Sequence, residues 1–306
     1  RATTKSSAAD AHLMTMALRT LVLAALCGAT AALKVAVSGA GGQTGGHVFR
    51  KLLARPGVDV VGWARSSASR DALIASSDAT AADVRVVDVT DEAACLAAMA
   101  GFDALVICTS AKPAMTGIMT PEGRPTFSFP NGQPVDVDWL GQKTQIDACV
   151  ANKAHVVICS SMGGSNEANP LNALGREALA DGAAVKDAKG GNILLWKRKA
   201  EKYAIDSGTP YTIVHPGGLL NQPGGKREIV AGVDDEALAS ENRSIPREDV
   251  ATVLVAALFD PAFRGRAFDV RAKNENEGTV TPPSCVTLIG ALGGRNCDYT
   301  LGTIPN

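Results

Sequence analysis

The stretch Val35-Ala36-Val37-Ser38-Gly39-Ala40-Gly41-Gly42-Gln43-Thr44-Gly45 decides the fold. An apolar strand runs into Gly39, Gly42 and Gly45, spaced G-x-x-G-x-x-G, and a helix follows. Gly39 permits the tight turn, Gly42 lets backbone approach a pyrophosphate, and Gly45 lets the helix pack close to the sheet. Gln43 and Thr44 then belong to the first turn, whose unpaired amides face the phosphates. A glycine-rich turn can also merely join two elements. Its place here, after the first strand and at the opening of the first helix, favours the dinucleotide site.

Strand-like runs recur at 34–38, 58–64, 84–87, 104–108, 155–159, 211–214 and 267–270. Helical stretches lie between them at roughly 44–54, 92–100, 138–152, 193–207 and 247–259. Asp91 is placed to cap the second helix, and Pro246 followed by Arg247 and Asp249 reads as the start of the last. This alternation predicts an α/β, doubly wound Rossmann fold, a mostly parallel sheet of about seven strands with helices on both faces. Three stretches break the rhythm, at 111–134, 163–191 and 217–244. All follow carboxyl ends of strands, where such a sheet places its ligand, and the third is expected to cover the substrate. With no internal repeat or linker, residues 33–306 read as one NAD(P)-binding Rossmann domain.

Composition narrows the function. A net charge of −1 without a Lys/Arg run, and only 4% aromatics, leave no footprint for nucleic acid. The seven cysteines form no C-x-x-C pair and the histidines do not cluster with them in sequence, so no metal is expected. Cys108 and Cys159, closing strands, read as core. Residues 1–32 read as a leader: Arg19, an apolar run at 21–27 and small residues at 28–32 follow the order of a secretory signal peptide. The alternative is an Ala-rich leader of another kind. The expected routing is secretory or plastid, with a cytoplasmic alternative. The apolar run is too short for a permanent membrane span.

The second strand ends Val60-Val61-Gly62-Trp63-Ala64-Arg65-Ser66, without the Asp or Glu that would accept from an NAD ribose. Arg65, aided by Ser66 or Ser67, stands where a guanidinium pairs with a 2′-phosphate, so NADP is favoured over NAD. A solvated arginine is the alternative. Asp88 and Val89 end the third strand and suit the adenine, although Asp88 could equally cap the next turn. Thr109, Ser110 and Ala111 should pass beneath the nicotinamide ribose.

These stretches, together with 137–147, 160–164, 191–201, 207–214 and 246–251, resemble the atypical short-chain dehydrogenase/reductases. More narrowly, the chain resembles the plant and algal NAD(P)-binding Rossmann proteins related to the NmrA-like group, over about residues 34–273. The resemblance implies a Ser at Ser161 steadying a carbonyl and a Lys at Lys199 holding the nicotinamide ribose. Pro216 and Gly217 follow in the turn after the sixth strand. Three departures stand out. Gln43 replaces a basic residue of the glycine loop, His215-Pro216-Gly217-Gly218 replaces Arg-Pro-Gly, and 176–189 looks inserted.

The Tyr expected four residues before the lysine is Leu195, which transfers no proton. Lys197 lies 200° from Lys199 on a helix and pairs at i, i+4 with Glu201, which suits an exposed face. Trp196, Lys199 and Tyr203 share the other face. Two readings follow. One is an NADP(H)-dependent reductase of flavin, quinone or conjugated-enone acceptors, with the proton coming from water, His215 or the substrate. The other is a non-catalytic, NADP(H)-responsive binding or scaffold protein.

Overall fold

The computed structural model describes residues 31–176 and 191–305. Most of the leader and most of the expected insertion therefore lie outside the described residues. Strand β1 (Leu33–Ser38) pairs in parallel with β2 (Val58–Ala64) on one side and β4 (Ala104–Ile107) on the other. β3 (Val84–Val86), β7 (His155–Cys159), β8 (Tyr211–Pro216) and β12 (Arg266–Ala272) extend the parallel array. β10 (Ile229–Gly232) closes one edge antiparallel to β12, giving eight strands ordered β10-β12-β8-β7-β4-β1-β2-β3. The direction of winding reverses between β1 and β4, so the topological switch point lies at the glycine loop.

Both faces of the sheet are covered, which is why its strands read as continuous apolar runs. Val35 and Val37 of β1 join one core cluster while Ala36 between them joins the other. Helices α1 (Gln43–Leu53) and α6 (Arg247–Phe259) pack on the first face. Helices α3 (Glu92–Met99), α4 (Gly141–Asn152) and α5 (Ile193–Asp206) cover the second. Helix α1 has Arg50 and Lys51 in its last turn and no acid in its first, which leaves the N-terminal amides free for an anion.

The structure departs from the sequence expectation in four places. Helix α2 (Ser67–Ala75) was not foreseen; it buries only Leu73, so its apolar periodicity is faint, although Ser66 caps it by accepting from the Ser69 amide at 3.2 Å. The segment 111–134 is no bare loop. It forms a hairpin of β5 (Ala114–Met119) and β6 (Pro125–Ser128), then a π-helical turn, Val135–Leu140, that leads into α4. The segment 217–244 supplies β10 and a small parallel pair, β9 (Gly218–Leu220) with β11 (Ser244–Pro246). A short helix α7 (Val286–Ala291) lies beyond β12. Among the described residues no helix is long and apolar enough to cross a membrane.

Candidate functional site

A cleft of about 680 Å³ opens at the switch point, over the carboxyl ends of β1, β2, β3 and β4. Its size suits an organic cofactor. Gly39 turns the chain with φ +68°, and an added Cβ there would lie 2.8 Å from the Cys108 carbonyl carbon. Gly42 caps α1 and lines the cleft, with Gly41 beside it. A Cβ at Gly45 would collide with the Gly39 carbonyl oxygen, so this glycine serves close packing. Gln43, Thr44 and Gly45 form the first turn of α1 behind that rim.

The opposite rim carries the polar groups foreseen after β2 and β3. Arg65 is exposed at the cleft and donates to the Asn131 carbonyl at 2.6 Å and to Asn131 Oδ1 at 3.0 Å. Its guanidinium thus links the β2 end to the segment after β6. Ser66 is spent on the cap of α2, and Ser69, one turn further on, lines the cleft on this rim. Asp88 Oδ1 accepts from the Thr90 amide at 3.0 Å and hydroxyl at 2.8 Å, the cap role, while Asp88 and Val89 both border the cleft. Lys112, Asn131 and Asp136 also line it. They were missed because the sequence offers no signal for the hairpin that brings them back.

Thr109 and Ser110 line the inner end of the cleft. Ala111 is buried, and its amide donates to Asp138 Oδ2 at 2.9 Å. Lys197 Nζ lies 2.7 Å from Asp138 Oδ1. Burial acts to lower the Lys197 pKa, but the charge and hydrogen bond of Asp138 outweigh it and hold the ammonium above its ordinary value.

The expected orientation of the two lysines is therefore reversed. Lys197, read as exposed, is buried. Lys199, assigned to the ribose, stacks its ammonium 4.7 Å from the Trp139 ring centroid and 5.7 Å from Trp196. The i, i+4 spacing of Lys197 and Glu201 does mark one helix face, but it is the inner one, where each charge has its own partner. The residue four before Lys197 is Ile193, which packs in a small apolar cluster with Ala111 and Phe129.

The remaining candidates gather elsewhere. Ser161 and His215 border a second, small cavity, and Ser161 donates only to its neighbour's carbonyl, Met162 O, at 3.1 Å. Its neighbour Ser160 turns inward and donates to Glu201. His215 lies buried between Glu201 Oε2, 3.1 Å from its Nε2, and Asp269 Oδ1, 3.2 Å from its Nδ1. Burial opposes its charge, yet Glu201 and Asp269 hold its pKa well above the ordinary value. Burial would likewise raise Glu201, but His215, Ser160 and Tyr299 bring it down to about 2. Pro216 is buried, and a Cβ at Gly217 would strike the Arg243 carbonyl oxygen. Ser161, Lys199, His215, Pro216 and Gly217 thus do not line the cleft. None of the three tyrosines does either: Tyr203 donates to Asp147 at 2.6 Å, Tyr299 to Glu201 at 2.9 Å, and Tyr211 starts β8 at the far end of the sheet.

Comparison with known proteins gives a consistent picture. A family model described as NAD(P)H-binding matches residues 39–261. An uncharacterized chloroplastic protein of Arabidopsis thaliana is 42% identical over 268 residues, covering 86% of this chain and 77% of the relative. Sanguinarine reductase of Eschscholzia californica is 40% identical over 271 residues, covering 81% of this chain and 92% of that one. Among solved structures, a Rossmann-fold NAD(P)-binding family protein from Shigella flexneri aligns with a TM-score of 0.53 at 18% identity, over 81% of this chain and 98% of that one. This last likeness concerns the fold alone.

Proposed function

This chain belongs to the NAD(P)H-binding family of Rossmann proteins, and from that premise we propose that it is an NADP(H)-dependent reductase working without a tyrosine proton donor. Val89 and Asp88 would hold the adenosine end of the cofactor, and Arg65 with Ser69 would read the 2′-phosphate. The first-turn amides of α1 take the pyrophosphate. Thr109 and Ser110 would hold the nicotinamide end.

The observation that carries the reading is the make-up of that inner end. Three groups are fixed there in series, Ala111 to Asp138 to Lys197, and no tyrosine borders the cleft. Lys197 is then a positioning residue: through Asp138 it holds the turn that would carry the nicotinamide ribose. Hydride transfer without a poised acid suits acceptors that stabilise added electron density themselves, such as quinones, flavins and conjugated enones. Kinship with a plant reductase supports a reductive direction. The chloroplastic name of the Arabidopsis relative supports a plastid setting.

The test is NADPH oxidation followed against a panel of these acceptors, beside a calorimetric titration of NADPH and NADH. Acceptor-stimulated oxidation with NADPH preferred is expected. Tight NADPH binding with no turnover on any acceptor would instead favour a cofactor-responsive binding protein.

A further inference from the structure

We propose that His215, Asp269 and Cys297 form a zinc site that ties the C-terminal segment to the end of β8 and β12. The three residues are 54 and 28 positions apart along the chain, so no spacing motif announces them. The fold nevertheless brings one donor atom from each to a single point. His215 Nδ1 is 3.2 Å from Asp269 Oδ1, Cys297 Sγ is 3.6 Å from His215 Nδ1, and Cys297 Sγ is 3.9 Å from Asp269 Oδ1. In a tetrahedral zinc site, with Zn–N and Zn–O near 2.0–2.1 Å and Zn–S near 2.3 Å, neighbouring donors stand roughly 3.2–3.6 Å apart. The triangle is already close to those dimensions.

The surroundings orient each ligand as a metal site requires. His215 presents Nδ1 inward because Nε2 is held by Glu201 at 3.1 Å, the carboxylate–histidine arrangement that fixes the tautomer of zinc-bound imidazoles. Glu201 is itself fixed by Ser160 and by Tyr299 at 2.9 Å. Asp269 has Oδ2 occupied by the Asp235 amide at 2.8 Å, which leaves Oδ1 for the cation. Cys297 is held in register by its amide, which donates to the Ala267 carbonyl at 2.9 Å. Beside the triangle is a cavity of about 10 Å³, room for one water as fourth ligand.

Metal binding would require Cys297 as thiolate and His215 with Nδ1 unprotonated, its Nε2 facing Glu201 Oε2. The donor set of one thiolate, one imidazole and one carboxylate selects zinc over the hard cations Mg²⁺ and Ca²⁺.

The experiment uses the full chain, reduced and stripped with chelator, then titrated with Zn²⁺ and separately with Co²⁺. One Zn²⁺ per chain is expected, and Co²⁺ should give the intense visible bands of a tetrahedral site with a thiolate-to-metal charge-transfer band. Cys297→Ser should abolish that band, and Cys297→His should restore uptake without it. Glu201→Gln should keep the band and weaken Zn²⁺ roughly 10–100-fold. Circular dichroism confirms that each variant is folded. Failure of the reduced protein to take up stoichiometric metal would overturn the proposal. So would a cobalt spectrum that Cys297→Ser leaves unchanged, because the metal would then sit on other groups.

Discussion

Lys197 and Asp138 make an ion pair of 2.7 Å with their side chains only 8% and 0% exposed, and Asp138 relays it to the amide of Ala111. Helix α5 is thereby fastened, through the π-helical turn, to the strand end that borders the cleft. Widened turns of this kind recur at functional positions. Here the turn carries the carboxylate of Asp138, which accepts from the Ala111 amide just beyond β4.

Breaking one half of that pair should cost far more than removing the neighbouring lysine. Lys197→Met leaves a buried carboxylate without its cation, a loss of about 3–5 kcal/mol. Lys199→Met removes a partly exposed cation–π contact worth about 0.5–1 kcal/mol. Urea unfolding of both variants decides it, and Lys197→Met with Asp138→Leu should recover much of the loss. Two equally small effects would remove the buried pair from the account.

The glycine loop separates fold from binding. Gly42→Val should abolish dinucleotide binding with the fold kept, because its Cβ meets only the Gly39 carbonyl oxygen, at 3.1 Å, while its side chain fills pyrophosphate space. Gly45→Val should damage the fold itself, since that Cβ collides with backbone. Calorimetry and circular dichroism on the pair give the answer. Retained binding in Gly42→Val would mean that the phosphates lie elsewhere.

All seven strands read from the sequence lie in the sheet, because strands buried on both faces leave long apolar signatures such as Val35–Val37. The glycine turn was equally legible, since only one backbone conformation suits Gly39. Polar residues were harder. Lys197 and Glu201 look like a solvated i, i+4 pair, and only the tertiary positions of Asp138 and His215 show each to be buried with a different partner. The convergence of His215, Asp269 and Cys297 is likewise set by where three distant segments meet.

Arg65 tests the choice of cofactor. Arg65→Ala should weaken NADPH about 10–100-fold, the range of one or two charge-assisted hydrogen bonds, and NADH hardly at all. Asn131→Ala removes the Oδ1 partner of the guanidinium, leaving its bond to the residue 131 carbonyl, and should not weaken NADPH. Parallel titrations measure all four combinations. Equal losses for both cofactors in Arg65→Ala would show that the guanidinium does not read the 2′-phosphate.

Stability should depend on pH through His155. Its Nε2 is 3.0 Å from Thr212 Oγ1, whose hydroxyl donates to the Phe263 carbonyl at 2.9 Å, so the ring nitrogen is the donor. Burial, then the charge of Arg264, bring its pKa from 6.5 to about 4. The unfolded chain therefore binds the extra proton first as pH falls. The associated stability is complete above about pH 6.5 and declines toward about pH 4, by about 3 kcal/mol in all. His215, with its raised pKa, acts in the opposite sense and in a different window, its contribution being complete below about pH 6.5 and lost as pH rises above it, so the difference between wild type and His155→Gln isolates His155. Urea unfolding should show that difference shrinking between about pH 7 and about pH 4.5. A constant difference would mean that His155 protonates freely in the folded protein.

The sharpest probe of the chemistry is a tyrosine placed four residues before the inward lysine. With Lys197 buried against Asp138, that position is Ile193, whose side chain packs with Ala111 beside the inner end of the cleft. Leu195 belongs to the other register, four before Lys199, whose ammonium sits on two indoles. Ile193→Tyr adds bulk to a packed site at a cost of about 1–3 kcal/mol, which the fold should survive. It should also bring a phenol to the nicotinamide end, and so create reduction of simple ketones, which need an acid, while quinone reduction changes little. Leu195→Tyr should create none. The readout is the ratio of ketone to quinone turnover, because a general loss of stability would depress both together. Ketone reduction appearing in Leu195→Tyr but not in Ile193→Tyr would return the functional role to Lys199 and undo the assignment of Lys197.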